Sequence, residues 1–356
     1  MIGIHQRAGS FSDRWIEYCQ QQNIPFKLVN CLRSDVVSQC AGLSALLWHW
    51  TLNDARELLI ARQIATAFKE TDLVMFPNFE TCWHYDDKIA QKYLLEAIGA
   101  PLIPTWVFTD PSQAEEWIAQ TDWPKVFKLR CGAGSSNVRL VRSGSEAARL
   151  CQTAFGRGFP SEMVRMDAVQ KYVRAGGNPK DLPRRLWRLV RKAFIRAAGG
   201  DKHPRQKGYL YFQEFMANNP FDIRVTVIGN RAFAFTRQNR PGDFRASGSG
   251  CISYDSARID LRCVEIAFHV TRRLRTQSLA FDFLFNANGE PVIGEISYCY
   301  LASAVHDCPG HWDEKLNWLS GQTWPQDAML EDVRALLGET SRVPRSPSRA
   351  SVATAG

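Results

Sequence analysis

The chain has 356 residues, 45% of them hydrophobic and 22% charged, enough to bury a sizeable core and too many for one domain of ordinary size. No run of about 18 apolar residues occurs, and the start, MIGIHQRAGSFSDRW, lacks a basic stretch followed by an apolar one; a soluble cytoplasmic protein, not transmembrane, is the expectation. The net charge is +8, but residues 156 to 207 hold 14 Lys and Arg against 4 Asp and Glu, so the basicity belongs to one segment.

The ten cysteines show no CxxC spacing and no accompanying His pair. They read as reduced, mostly buried thiols rather than a disulfide framework or a zinc site.

In chain order, the first 80 residues alternate short apolar runs (IGIH, FKLV, ALLWHW, LVMFPN) with helical stretches from about Ser12 and Asn53, both suited to be N-caps. Strands alternating with helices predict a small parallel α/β layer. In DDKIAQKYLLEAIGAP, Ile89, Tyr93, Leu94, Ala97 and Ile98 share a helical face, with Gly99 and Pro101 ending the helix. Lys88 falls in its first turn, where the helix dipole disfavours a cation.

After TWVF and a helix around SQAEEWIAQ comes TDWPKVFKLRCGAGSS. Here Lys128 stands on an apolar strand, and Gly132, Ala133, Gly134, Ser135 and Ser136 form a loop of nearly bare backbone. An ammonium beside bare amides suits a phosphate, although an ordinary strand and turn fits the same residues. The loop is not a Walker A motif, since it lacks GxxxxGK[ST] and a following helix.

The basic segment contains LPRRLWRLVRKAFIRAAGG, a helix with one apolar stripe and arginines elsewhere. It suits an anionic membrane surface, nucleic acid or an acidic partner, or it docks its stripe on its own domain. From Tyr209 the pattern turns to hairpins, YLYFQEFM, DIRVTVIG and RAFAFTRQ, then a helix from about Leu261 to Leu274, then SLAFDFLFNANGEPVIGEIS. The end, SRVPRSPSRASVATAG, reads as a disordered tail.

The last hairpin carries chemistry. A two-residue Asn288-Gly289 turn sets Asp282 opposite Glu295 on one face. Two such carboxylates repel unless a divalent cation lies between them; oxygen-only ligands suit Mg²⁺ or Mn²⁺. The competing reading is neutralisation by Arg224, Arg237, Arg240 or Arg245 from the neighbouring hairpin.

The order of these motifs, from Lys88 through Lys128 and its loop to QEFM, DIR, FDF and GEIS, resembles the ATP-grasp superfamily, and FPNFETCWHYDDKIAQKYLLEAIGAP with VFKLRCGAGSSNVRLV is similar to its glutamate-ligase-like branch. The likeness spans about residues 2 to 320. It implies an α/β and α+β architecture in which a pre-ATP-grasp domain (1–80) precedes a small subdomain with the basic insertion (81–212) and a large subdomain with the metal hairpin (213–322), followed by a helix and tail (323–356).

The resemblance further implies ATP and Mg²⁺ as cofactors. Lys88, Lys128 and the loop 132–136 would hold phosphates. Glu214, Phe215 and Met216 would meet the adenine, and Asp222 would lie near the ribose. Arg224, Arg237 and Arg245 would face the phosphates and the acyl intermediate, and Asp282, Glu295 and Ser297 would ligate the metal. Ser247 and Ser297 stand where this branch usually carries asparagine.

The implied reaction is carboxylate–amine ligation through an acyl phosphate, with a small-molecule or peptide carboxylate and an amine as partners and a homodimer as a candidate assembly. No specific nucleic acid is implied. A phosphotransferase of the same fold and a low-turnover nucleotide scaffold are the rivals. His49 and His84 read as structural, and His306, Asp307 and His311 as candidates to line an acceptor pocket.

Overall fold

A computed structural model of the chain describes residues 1–52, 54–132, 137–160, 205–240, 242–246 and 250–340. The expected cap Asn53, the expected stripe between 186 and 197, most of the basic segment, the loop residues Ala133, Gly134, Ser135 and Ser136, Ser247 and the tail lie outside the described residues.

The amino-terminal layer is the expected parallel sheet. Strands β1 (Ile2–His5), β2 (Phe26–Val29), β3 (Ala45–Leu47) and β4 (Val74–Phe76) lie in the order β2-β1-β3-β4. Helices α1 (Phe11–Gln21), α2 (Val36–Gln39) and α3 (Ala55–Lys69) connect them. The caps differ from expectation: Ser10 caps α1 and Asp54 caps α3. Ser12 instead lies buried in the first turn, where its hydroxyl accepts from Arg7 N at 3.0 Å. The run ALLWHW is strand over its first half; Trp48 N still donates to Phe76 O at 2.8 Å, and Trp48 and Trp50 are fully buried in the core.

Helices α4 (Phe79–Cys82) and α5 (Lys88–Ala97) lead to a second sheet. It contains β5 (Thr105–Phe108), β6 (Lys125–Lys128), β7 (Val138–Val141) and β8 (Leu210–Glu214), antiparallel in the order β5-β8-β6-β7. Helices α6 (Pro111–Gln120) and α7 (Gly144–Phe155) cover one face through Ala114, Ile118, Ala147 and Leu150, packed with Phe127 and Phe212. The other face, through Val126, Lys128 and Gln213, borders a cavity.

The third sheet comprises β9 (Phe221–Ile228), β10 (Arg231–Gln238), β12 (Ser278–Phe285), β13 (Pro291–Ser297), β14 (Gly310–Trp312) and β15 (Trp318–Ser320), in the order β13-β12-β9-β10-β14-β15, with β11 (Ile252–Ser253) beside β10. Helix α8 (Leu261–Leu274), at the expected boundaries, buries Val264, Ala267, Phe268 and Val270 against it. Short α9 (Ala302–His306) and α10 (Pro325–Thr340) complete the fold. All ten cysteines are free. Among the described residues no helix is long and apolar enough to cross a membrane.

Two expectations are corrected in ways that bear on the site. Helix α5 turns only part of its expected stripe inward: Leu94 and Ile98 pack half-buried against the core, but Tyr93 is 51% exposed and Ala97 is exposed, while Lys88, Gln91 and Leu95 are buried. Leu95 joins the apolar core, whereas Lys88 and Gln91 are buried because each finds polar partners there, Glu295 for the lysine and His84 O and Ile296 N for the glutamine.

The hairpin turn is a three-residue loop, not a two-residue one. Asn286 N donates to Glu290 O at 3.0 Å, and Phe285 pairs with Pro291. That register would leave Asp282 opposite Gly294. A bulge between Asp282 and Phe283 takes up the extra residue and brings Asp282 opposite Glu295. Two local departures thus cancel.

Candidate active site

The second and third sheets enclose a cavity of about 570 Å³. Val126, Lys128, Gln213, Glu214, Phe215 and Met216 line it from one side, and Asp222, Asp282, Leu284 and Glu295 from the other.

Strand register assembles the charged floor. Glu295 on β13, Asp282 on β12 and Arg224 on β9 stand directly opposite one another in successive ladders, and Arg237 on β10 stands opposite Asp222 on β9. Directly paired residues share a sheet face, so these side chains converge. Arg224 forks onto Asp282 at 2.7 and 2.8 Å. Arg237 forks onto Asp222 at 2.8 and 2.6 Å and reaches Asp282 at 2.9 Å. Burial works against the Asp282 carboxylate, but the two guanidiniums outweigh it and hold Asp282 well below the usual carboxylate range. Burial prevails at Asp222, whose pKa is raised despite Arg237.

The two lysines reach the same floor. Lys88, the first residue of α5, is 5% exposed and lies 3.2 Å from Glu295 Oε1. Burial lowers its pKa, but Glu295 and Asp86 together carry it above the ordinary value. These carboxylates, rather than the helix dipole, hold a cation at a helix start. Lys128, 9% exposed, donates to Gln213 Oε1 at 2.6 Å, and the Gly294 carbonyl turned inward at the bulge lies 3.5 Å from its Nζ. Burial, reinforced by Lys88 and opposed by Glu295, pulls Lys128 down to about 8.

The loop's root is fastened at this point. Lys88 Nζ donates to Gly132 O at 3.0 Å, Gly132 N donates to Asp86 Oδ1 at 2.6 Å, and Lys88 N donates to Arg130 O at 3.0 Å. Asp86 adopts the left-handed conformation, φ 54°, which turns its carboxylate to that root. Nothing in YDDK separates Asp86 from its neighbour, the N-cap Asp87, so sequence reasoning missed it. Gln213, a polar residue within an apolar strand, carried a readable signal that was also missed.

The remaining candidates have other commitments. Glu214 pairs with Lys125 at 3.0 Å. Phe215 and Met216 line the cavity, with Phe215 edge-on to Phe244 at 5.7 Å. Arg245 lines the cavity and holds Asp243 at 2.6 Å and Val138 O at 3.2 Å. The Ser297 hydroxyl donates to Cys299 O at 2.9 Å and accepts from Cys299 N at 3.2 Å. His49 and His84 are buried, and burial lowers them to about 3 and about 4, which keeps both rings neutral. His306 stacks on Trp324 at 3.9 Å and His311 lies by Phe233; neither lines the cavity.

The donor set is all oxygen, as a hard divalent cation requires, but it is small. Asp282 and Glu295 supply two carboxylates, and among the described residues no group of three His, Cys, Asp or Glu could hold a metal. A six-coordinate ion here would complete its shell from a bound ligand and water. Four cations (Lys88, Lys128, Arg224, Arg237) face four carboxylates (Asp86, Asp222, Asp282, Glu295), so the floor is close to neutral. A polyphosphate would bring charge that a divalent cation offsets.

Two antiparallel sheets closing on a cleft, set against a parallel amino-terminal layer, define the ATP-grasp fold, and this chain has it. Among solved structures it is similar to the D-alanine–D-alanine ligase of Bacillus anthracis, with TM-score 0.56 and 11% identity over 95% of this chain and 99% of that one. D-cycloserine synthetase DcsG superposes at 0.55 with 15% identity, over 95% and 99%. A RimK-domain ATP-grasp protein of Sphaerobacter thermophilus superposes at 0.53 with 14% identity, over 93% and 98%. No family model matches the chain, and no curated protein does.

Proposed function

We propose that the protein is an ATP-dependent carboxylate–amine ligase acting in the cytoplasm. The observation that carries this reading is the convergence of two buried lysines and two arginines on the Asp282–Glu295 pair, at the floor of a cleft between two antiparallel sheets. The three similar structures include two ligases or synthetases by name, which agrees with it.

In this reading residues 1–80 form the leading domain, 81–212 and 213–322 form the jaws, and 323–356 the end. Lys128 and Lys88 hold phosphate oxygens, and the loop fastened at Gly132 covers them. Phe215 and Met216 bound the base. Arg224 and Arg237 neutralise charge as a phosphoryl group passes to the carboxylate substrate, and the amine then displaces phosphate to give an amide. No nucleophilic side chain is required. Mg²⁺ or Mn²⁺ at Asp282 and Glu295, with Ser297 nearby, would supply electrostatic stabilisation of the phosphates. Asp222, forked by Arg237, acts by holding that arginine rather than by touching the ribose.

The test is ATP turnover with mixtures of amino acids and short peptides, with products resolved by chromatography. ADP and phosphate released only with an acceptor supports ligation; AMP and pyrophosphate overturns it. A second reading, a nucleotide-binding scaffold of low turnover, draws on the arginine forks that occupy both Asp282 oxygens and on the Ser297 hydroxyl bound to Cys299. Nucleotide binding without turnover under any acceptor would select it.

A further inference from the structure

Strand β7 is the outer strand of the second sheet, and among the described residues it pairs only with β6. Leu129 N donates to Asn137 O at 3.0 Å, so the hydrogen-bonded pairs of this ladder are those of Asn137, Arg139 and Val141. The backbone groups of Val138 and Leu140 therefore point away from the sheet. Arg245 takes the Val138 carbonyl, and no described residue pairs with the backbone of Leu140. Such an edge is a template for one more strand.

Two cavities, about 560 and about 460 Å³, flank this strand, and Arg139 lines both. Six arginines line them against Glu146 and Asp243. Arg139 is held by Glu146, Arg245 by Asp243, and Arg205 by the carbonyls of Arg157 and Gly158. Arg142, Arg149 and Arg157 are exposed and join no ion pair among the described residues. Charge along an edge deters strands of the same sign and favours those of the opposite sign. The chain's own remaining segments do not complement it: residues 161–204 hold 11 Lys and Arg against 4 Asp and Glu, and residues 341–356 hold three arginines and no acid.

We propose that this edge docks an extended acidic segment of another protein, which adds beside β7 through the Leu140 backbone and sets its carboxylates on Arg142, Arg149 and Arg157. The surface adjoins the nucleotide cavity and shares Val138, Phe215, Phe244 and Arg245 with it, but none of the three arginines lines that cavity, so the inference does not depend on the ligase reading. A phosphate-bearing membrane or RNA would satisfy the arginines but leave the Leu140 amide and carbonyl unused.

The experiment is fluorescence anisotropy of the full chain with a labelled peptide of alternating glutamate and valine. Saturable binding that weakens with salt is expected, and the combined Arg142→Glu, Arg149→Glu, Arg157→Glu variant is expected to bind at least about tenfold more weakly. A second probe of the same sequence, N-methylated at alternate amides, keeps its charge but cannot form the ladder, and is expected to lose most of its binding. This probe needs no variant, so it decides the matter even if the triple variant fails to fold. Equal binding of the two probes, an unaffected folded variant, or tighter binding of polyuridylate or phosphatidylserine vesicles would each overturn the proposal.

Discussion

Lys128→Met separates what this lysine costs the fold from what it gives a ligand. Burial lowers its pKa from 10.5 to about 8, which corresponds to about 3 kcal/mol against keeping the charge in the folded protein. Below pH 8 the side chain is protonated in both folded and unfolded states, and the full cost applies. As pH rises from about 8 to 10.5, the folded state releases its proton first, so stability increases and then levels. Methionine removes this dependence but leaves the Gln213 oxygen without its 2.6 Å donor, a loss of about 1–3 kcal/mol. Near neutral pH the variant should therefore be about as stable as the parent, or up to about 2 kcal/mol more so. Urea denaturation of both proteins across this range gives the difference curve, in which the parent should gain about 3 kcal/mol on the variant. Calorimetric titration with ADP should show at least about tenfold weaker binding to the variant. Parallel pH curves, or unchanged ADP affinity, would refute the reasoning.

Asp282→Asn removes the partner of the Arg224 fork and half the surroundings of Arg237; a loss of about 3 kcal/mol in denaturation and at least about a hundredfold in ATP turnover is expected. Retained turnover in a folded variant would exclude Asp282 from the chemistry. Asp86→Asn keeps an acceptor for Gly132 N but removes a charge from Lys88, so KM for ATP should rise several-fold with stability changed by less than about 1 kcal/mol. Ser297→Asn supplies an amide oxygen and should raise turnover several-fold at limiting Mg²⁺; indifference to metal concentration would place residue 297 outside the metal's reach.

The sequence by itself determined most element types and the parallel amino-terminal layer, because apolar periodicity and turn residues act locally and strongly; the expected opposition of Asp282 to Glu295 holds only because a longer turn and a bulge offset one another. It also brought Lys88, Lys128, Arg224 and Arg237 into view as cations lying in otherwise apolar or helical contexts. Only the tertiary structure decided their partners: which arginine forks which carboxylate depends on the register of four strands, and that register rests on a bulge whose effect on the count is invisible without the neighbouring ladder. The same holds for α5, whose apolar stripe is only partly inward because Lys88 and Gln91 find polar partners on neighbouring elements. Burial of a polar side chain is set by what the opposing element offers it, and a single segment does not contain that information.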